Sequence, residues 1–178
     1  LQRRPQRSSA ADLHNLHFRS LAGEDALLAT LDRKSNTLIT TPLFAELDEL
    51  MGDIKPTMLG LDTLSDLHSG EENNRTHARQ FIGLLRGLAL RSGCAVLLLA
   101  HPSLTGMSTG SGLSGSTAWN ASVRSRLYLE RIIDDGYEPD PDARRLSTKK
   151  ANYGRTGGEI SLHWKNGVFI ADEPETDL

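Results

Sequence analysis

Met58-Leu59-Gly60-Leu61-Asp62 and, further along, Ala95-Val96-Leu97-Leu98-Leu99-Ala100-His101 are two apolar runs, each stopping on a side chain that can carry charge. Between them Ala78, Phe81, Ile82, Leu85, Leu88 and Ala89 recur at three- and four-residue steps, which predicts a helix with one apolar stripe. Gly93 follows as its C-cap, and Cys94 opens the second strand. Continuous apolar strands joined by a helix-length crossover are what a parallel sheet covered on both faces requires, because such strands cannot alternate polar with apolar residues. In sheets of this kind the working residues lie beyond the carboxyl ends of the strands. Asp62 and His101 are therefore expected side by side on one rim.

The rest of the chain is read outward from this unit. Residues 1–24 begin basic (Arg3, Arg4, Arg7) and show no clean period, so they are read as a partly ordered lead-in. Residues 25–171 form the core domain and 172–178 a solvated acidic tail. Within the core, Asp25 to Leu31 is expected as a short helix and Thr37 to Thr41 as a strand. A further helix is expected over Leu43 to Met51, entered through Pro42 and closed by Gly52. The stretch from Thr105 to Thr117 is nearly all Gly, Ser and Thr, a composition too polar to order itself. Trp119 to Ser125 reads as a helix capped by Ser116 or Thr117. Arg126 to Arg131, Arg145 to Ala151, Glu159 to Trp164 and Val168 to Ile170 read as strands, with Lys165-Asn166-Gly167 as a hairpin turn. An acidic, proline-bearing loop spans Asp134 to Asp142.

With 178 residues, 38% hydrophobic content and a net charge of −3, the chain is sized for one globular domain and is not a generally basic nucleic-acid binder. The one cysteine, Cys94, cannot form an intrachain bridge and suits a reducing, cytoplasmic setting. No apolar run approaches the roughly 20 residues of a membrane span.

Asp at the end of an apolar strand is how nucleotide hydrolases hold the hydration shell of Mg²⁺ on a triphosphate. The run Gly110-Ser111-Gly112-Leu113-Ser114-Gly115-Ser116-Thr117 has the glycine spacing of a phosphate loop, but Ser116 stands where the lysine is needed. A loop that contacts a ligand is the better reading of it.

Asp62-Thr63-Leu64, Glu71-Glu72-Asn73, the long helix, Leu98-Leu99-Ala100-His101-Pro102-Ser103, the Gly/Ser loop and Ala118-Trp119-Asn120-Ala121-Ser122-Val123-Arg124-Ser125-Arg126-Leu127-Tyr128-Leu129 come in an order that resembles the RepA-like branch of the RecA-type P-loop ATPases, over residues 55 to 170. The resemblance implies a RecA-type α/β fold, with a mainly parallel sheet flanked by helices and antiparallel strands at its C-terminal side. It implies ATP and Mg²⁺ as cofactors, single-stranded DNA as partner, and a homo-oligomeric, hexameric ring of the plasmid or phage replicative helicase or recombinase kind. By resemblance Asp62 binds nucleotide and holds Mg²⁺ through water, and His101 senses the γ-phosphate. Arg124 reaches a neighbouring subunit's nucleotide, and Ser108, Thr109, Gly110, Ser111 and Gly112 face the DNA strand. A second resemblance, of Lys149-Lys150-Ala151-Asn152-Tyr153-Gly154-Arg155 to an interface segment of bacterial replicative helicases, makes Lys150 a further catalytic candidate. Asn152 stands at that segment's arginine position, which moves the finger role to Arg124.

The family's lysine-bearing phosphate loop and base-activating glutamate have no match in these residues. The opening Leu1-Gln2-Arg3-Arg4 resembles the helix after that glutamate, so the chain is expected to be the second part of a core and inactive alone. Two rival readings are a non-catalytic DNA-tethering or assembly module of the same fold, and a hydrolase built on Asp62, His101 and Ser103. The last lacks a G-x-S-x-G elbow.

Overall fold

The computed structural model describes residues 15–113 and 115–172. Most of the expected lead-in, residues 1–14, and most of the acidic tail, residues 173–178, lie outside the described residues.

The first strands among the described residues form a hairpin of β1 (Ala29–Asp32) and β2 (Thr37–Thr40), paired antiparallel with Ala29 opposite Thr40. The helix expected over Asp25 to Leu31 is thus corrected: residues 25–28 are irregular and Ala29 to Leu31 belong to β1. Its cause is the turn: the Asp32 carboxylate accepts from the Lys34 and Ser35 amides at 3.1 and 3.3 Å, and Asn36 takes a left-handed φ of +54°. Thr41 then caps α1 (Pro42–Ile54), accepting from the Phe44 amide at 3.3 Å, with proline in the first turn. Gly52 does not close this helix, which runs on to a left-handed C-cap at Lys55.

β3 (Met58–Leu61) and β4 (Ala95–Leu98) pair parallel, Leu61 opposite Leu98, with the short α2 (Leu64–Leu67) and the long α3 (Arg75–Ser92) between them. Asn74 caps α3 by accepting from the Thr76 and His77 amides, and Gly93 closes it at φ +67°. The stripe read from sequence is buried: Ala78, Phe81, Ile82, Leu85 and Leu88 meet Phe44 and Met51 of α1 and Leu61 of β3. Each large side chain among them stabilises by about 1.5–3 kcal/mol through burial.

Two features of the sheet differ from expectation. Among the described residues only β3 and β4 are parallel, so the sheet is not mainly parallel here. Nor is it covered on both faces among the described residues: Leu59, Leu61, Val96 and Leu98 point to the core, whereas Met58, Leu97 and Leu99 are 60%, 44% and 45% exposed. Successive residues of a strand point to opposite faces, and the helices described here pack on one of them. β4 also stops at Leu98, short of the expected Ala100.

Beyond it lie α4 (Leu104–Ser108), α5 (Thr117–Ser122, capped by Ser116) and an antiparallel sheet in the order β5 (Ser125–Arg131), β6 (Ala143–Ala151), β7 (Glu159–Lys165), β8 (Val168–Ala171). The last two strands are joined by Asn166-Gly167 at φ +53° and +89°, the two left-handed residues a tight hairpin turn demands. The antiparallel strands expected at the C-terminal side are thus present. No helix among the described residues is long and apolar enough to cross a membrane.

Candidate functional site

The ends of β3 and β4 are laced together. The Leu99 amide donates to the Leu61 carbonyl at 2.9 Å, and the Leu99 carbonyl accepts from the Leu64 amide at 2.8 Å and the Thr63 hydroxyl at 3.2 Å. Asp62 sits inside this lacing and His101 two residues past it, both exposed on the same rim. Neither side chain has a protein hydrogen-bond partner among the described residues, so a carboxylate and an imidazole are presented to solvent from a rigid edge. A single exposed carboxylate suits a divalent cation held through water, and no group of three His, Cys, Asp or Glu side chains among the described residues could ligate one directly.

Directly after His101 the Gly/Ser loop departs from its expected lack of order. Ser103 caps α4 by accepting from the Gly106 amide at 3.0 Å, and its own amide and hydroxyl both donate to the Leu113 carbonyl at 3.0 Å, closing the neck of the loop. The glycines let it pack: a Cβ on Gly106 would lie 2.0 Å from the Leu113 oxygen, and one on Gly112, at φ +61°, 2.5 Å from the Tyr128 ring. The loop is ordered by what it touches, which composition cannot reveal. Gly112→Ala is expected to lower stability by about 1–3 kcal/mol, from ring overlap and left-handed strain together. An unchanged denaturant midpoint would show that the Tyr128 contact does not hold the loop.

Between the loop and Asn73 opens a cleft of about 500 Å³, lined by Ser103, Thr105, Thr109 and Ser111 together with the Asn73 side. Of the five residues expected to face DNA, Thr109 and Ser111 line it; Ser108, Gly110 and Gly112 do not. The segment that leads into Asn73, from Ser69 to Glu72, is held from behind. The Glu72 carbonyl accepts from the Ser116 amide at 3.2 Å and the Trp119 indole at 2.9 Å. Two buried histidines fix the same segment, His68 Nδ1 accepting from the Gly70 amide at 3.0 Å and His77 Nδ1 from the Glu71 amide at 3.2 Å. Both rings must then carry their proton on Nε2, which has no partner in either among the described residues.

Burial, and secondarily the neighbouring His77, pushes the His68 pKa below its ordinary 6.5. Its closest ring neighbours are Phe81 and Trp119, neither acidic. The folded state therefore binds fewer protons than the unfolded chain, so this contribution to stability is present above pH 6.5 and is lost as pH falls below it. The thermal midpoint is expected to drop between about pH 7 and about pH 5.5, and less so in His68→Asn, which keeps an acceptor but does not titrate there. Equal drops in both proteins would remove His68 as the cause.

Arg124 follows the C-cap of α5, its side chain exposed and without a partner among the described residues, its carbonyl accepting from the Asn152 amide at 2.9 Å. Lys150 is half-buried and turned inward: its ammonium donates to the carbonyls of Asn120, Ala121 and Val123 at 2.7, 3.2 and 2.8 Å, at the end of this chain's own α5. Sequence reasoning missed Arg126, which joins the Ser111 carbonyl to the Asn120 side chain. Its place in an alternating strand marked only a strand residue.

Residues 1–107 match the family model of the AAA domain, and the chain belongs to that family. Among solved structures it is similar to an ATPase domain (20% identity, TM-score 0.53, covering 65% of this chain and 44% of that one). It is also similar to a DnaB-like replicative helicase (18% identity, TM-score 0.56, covering 71% of this chain and 34% of that one). The fold is accordingly a mixed α/β fold, similar to the folds of these two structures. The chain spans less than half the length of either of these structures.

Proposed function

We propose that this chain serves ATP binding and hydrolysis coupled to work on single-stranded DNA, in a homo-oligomeric ring of the plasmid or phage helicase or recombinase-like kind. The observation that carries the reading is the shared rim of β3 and β4, where Asp62 and His101 stand together and lead straight into an ordered, hydroxyl-lined loop. Membership of the AAA domain family and the likeness to a DnaB-like replicative helicase support it.

In this reading Asp62 would hold Mg²⁺ through the ion's water shell, and the ion when bound would offset charge on the terminal phosphates. The His101 imidazole donates to the γ-phosphate and loses that acceptor after hydrolysis, so the stiff turn from His101 through Pro102 to the Ser103 cap carries the difference into the loop. Thr105, Thr109 and Ser111 hydroxyls bond the backbone of a strand lying in the cleft. With no basic or aromatic side chain lining the cleft among the described residues, such contacts are sequence-tolerant and weak one by one. Arg124, at the edge and without a partner of its own among the described residues, meets phosphate charge in a neighbouring subunit.

Steady-state ATP hydrolysis by the whole gene-encoded protein, with and without oligo(dT), tests the proposal. Mg²⁺-dependent turnover that rises with oligo(dT) is expected. DNA binding with no turnover would overturn it in favour of the tethering module.

A further inference from the structure

Arg126 and Lys150 sit opposite each other on one rung of the β5–β6 ladder. Like charges placed across a rung repel, and neither has an acidic side-chain partner among the described residues. Both are turned instead onto α5. Lys150 holds the last carbonyls of that helix, where the peptide dipoles favour a cation, ending on the Val123 carbonyl immediately before Arg124. Arg126 is half-buried and uses two edges of its fork: Nε donates to Asn120 Oδ1 at 2.9 Å and Nη1 to the Ser111 carbonyl at 2.8 Å.

A guanidinium is planar and rigid, so fixing two of its edges fixes the distance between the groups it joins. One group is in the loop that lines the cleft; the other is in the last turn of α5, whose C-cap, Val123, directly precedes Arg124. Two residues further on β5, the Tyr128 ring lies against Gly112, so β5 touches the loop at two successive points on one face. A shift of Ser111 cannot be absorbed at Arg126 without breaking a bond or moving Asn120. The far side of the helix end is held by Lys150, and the Arg124 carbonyl by the Asn152 amide.

We propose that Arg126 is a positioning residue that transmits occupancy of the Gly/Ser loop to the placement of Arg124, with Lys150 anchoring the helix end on which it acts. The proposal rests on the DNA-binding reading of the loop given above.

Hydrogen exchange on the protein, with and without oligo(dT), tests it. In the parent, oligo(dT) is expected to slow exchange both in Thr105–Gly112 and in Thr117–Val123. In Arg126→Gln the loop should still be protected by oligo(dT) while the protection of α5 is lost. Arg126→Lys, which keeps the charge but cannot span both partners, should restore little of it. Asn120→Ala cuts the same link from the helix side and should give the pattern of Arg126→Gln, which covers the case in which that variant does not fold. A residue that only held the structure together would raise exchange in α5 with and without DNA alike. Retained DNA-induced protection of α5 in either variant overturns the proposal, as does a parent whose loop is protected while α5 is not. A parent whose loop shows no protection overturns the DNA reading itself, and the coupling with it.

Discussion

Asp62→Ala is expected to cut Mg²⁺-dependent ATP turnover by on the order of 10²–10³, since a cation on transferring phosphates is worth several kcal/mol and each ~1.36 kcal/mol is tenfold in rate. The fold should be nearly untouched. Asp62 is exposed, bonds to no other side chain among the described residues, and sits beside a lacing made by Leu61, Thr63, Leu64 and Leu99 rather than by its own carboxylate. A surface replacement of that kind moves stability by about 0.5 kcal/mol or less. Thermal unfolding and turnover should therefore separate: an unchanged midpoint with lost activity. His101→Ala, on the same rim, should preserve nucleotide affinity better than DNA-stimulated turnover, because a sensor reads the difference between two nucleotide states. Full turnover in Asp62→Ala at saturating Mg²⁺ would remove the carboxylate from the site.

The β3–α3–β4 unit was legible because each of its signals is local. The apolar runs, the stripe from Ala78 to Ala89 and the closing Gly93 all state their role within a turn or a strand of themselves. The rim followed, since parallel pairing of two strands that end on Asp62 and His101 leaves those residues neighbours. What sequence missed is decided at a distance. Leu27, Leu28 and Leu31 have helical spacing, yet β1 is a strand because β2 and the Leu67–Ser69 segment offer its backbone partners. The Gly/Ser loop reads as structureless because its order comes from Tyr128, Arg126 and the Glu72 backbone. Exposed Leu97 and Leu99 show the converse, an apolar run implying two covered faces where the described helices supply one.

Arg124→Ala is expected to have the largest effect, lowering turnover of an assembled oligomer by about 10³ to 10⁵, the usual worth of an arginine finger, while sparing nucleotide binding. The ordinary alternative is a surface salt bridge, worth about 0 to 1 kcal/mol. The structure does not supply one: Glu130, the nearest acid along β5, faces Lys149 at 4.0 Å, and no carboxylate contacts Arg124 among the described residues. Its backbone is nonetheless held from both sides, by Lys150 on the Val123 carbonyl and by the Asn152 amide on its own carbonyl. A backbone held at these two carbonyls, with a guanidinium that has no partner among the described residues, suits a group acting on another subunit, because the side chain has no local acceptor to leave. A mixing experiment separates action in trans from action within the subunit. Arg124→Ala and Asp62→Ala subunits are each expected to be nearly inactive alone, but in a mixed ring some interfaces join an intact Asp62 to an intact Arg124, and those should regain part of the parent's turnover. If mixed rings form, as verified by co-purification of differently tagged subunits, and the mixture stays as inactive as either variant, Arg124 does not act across the interface.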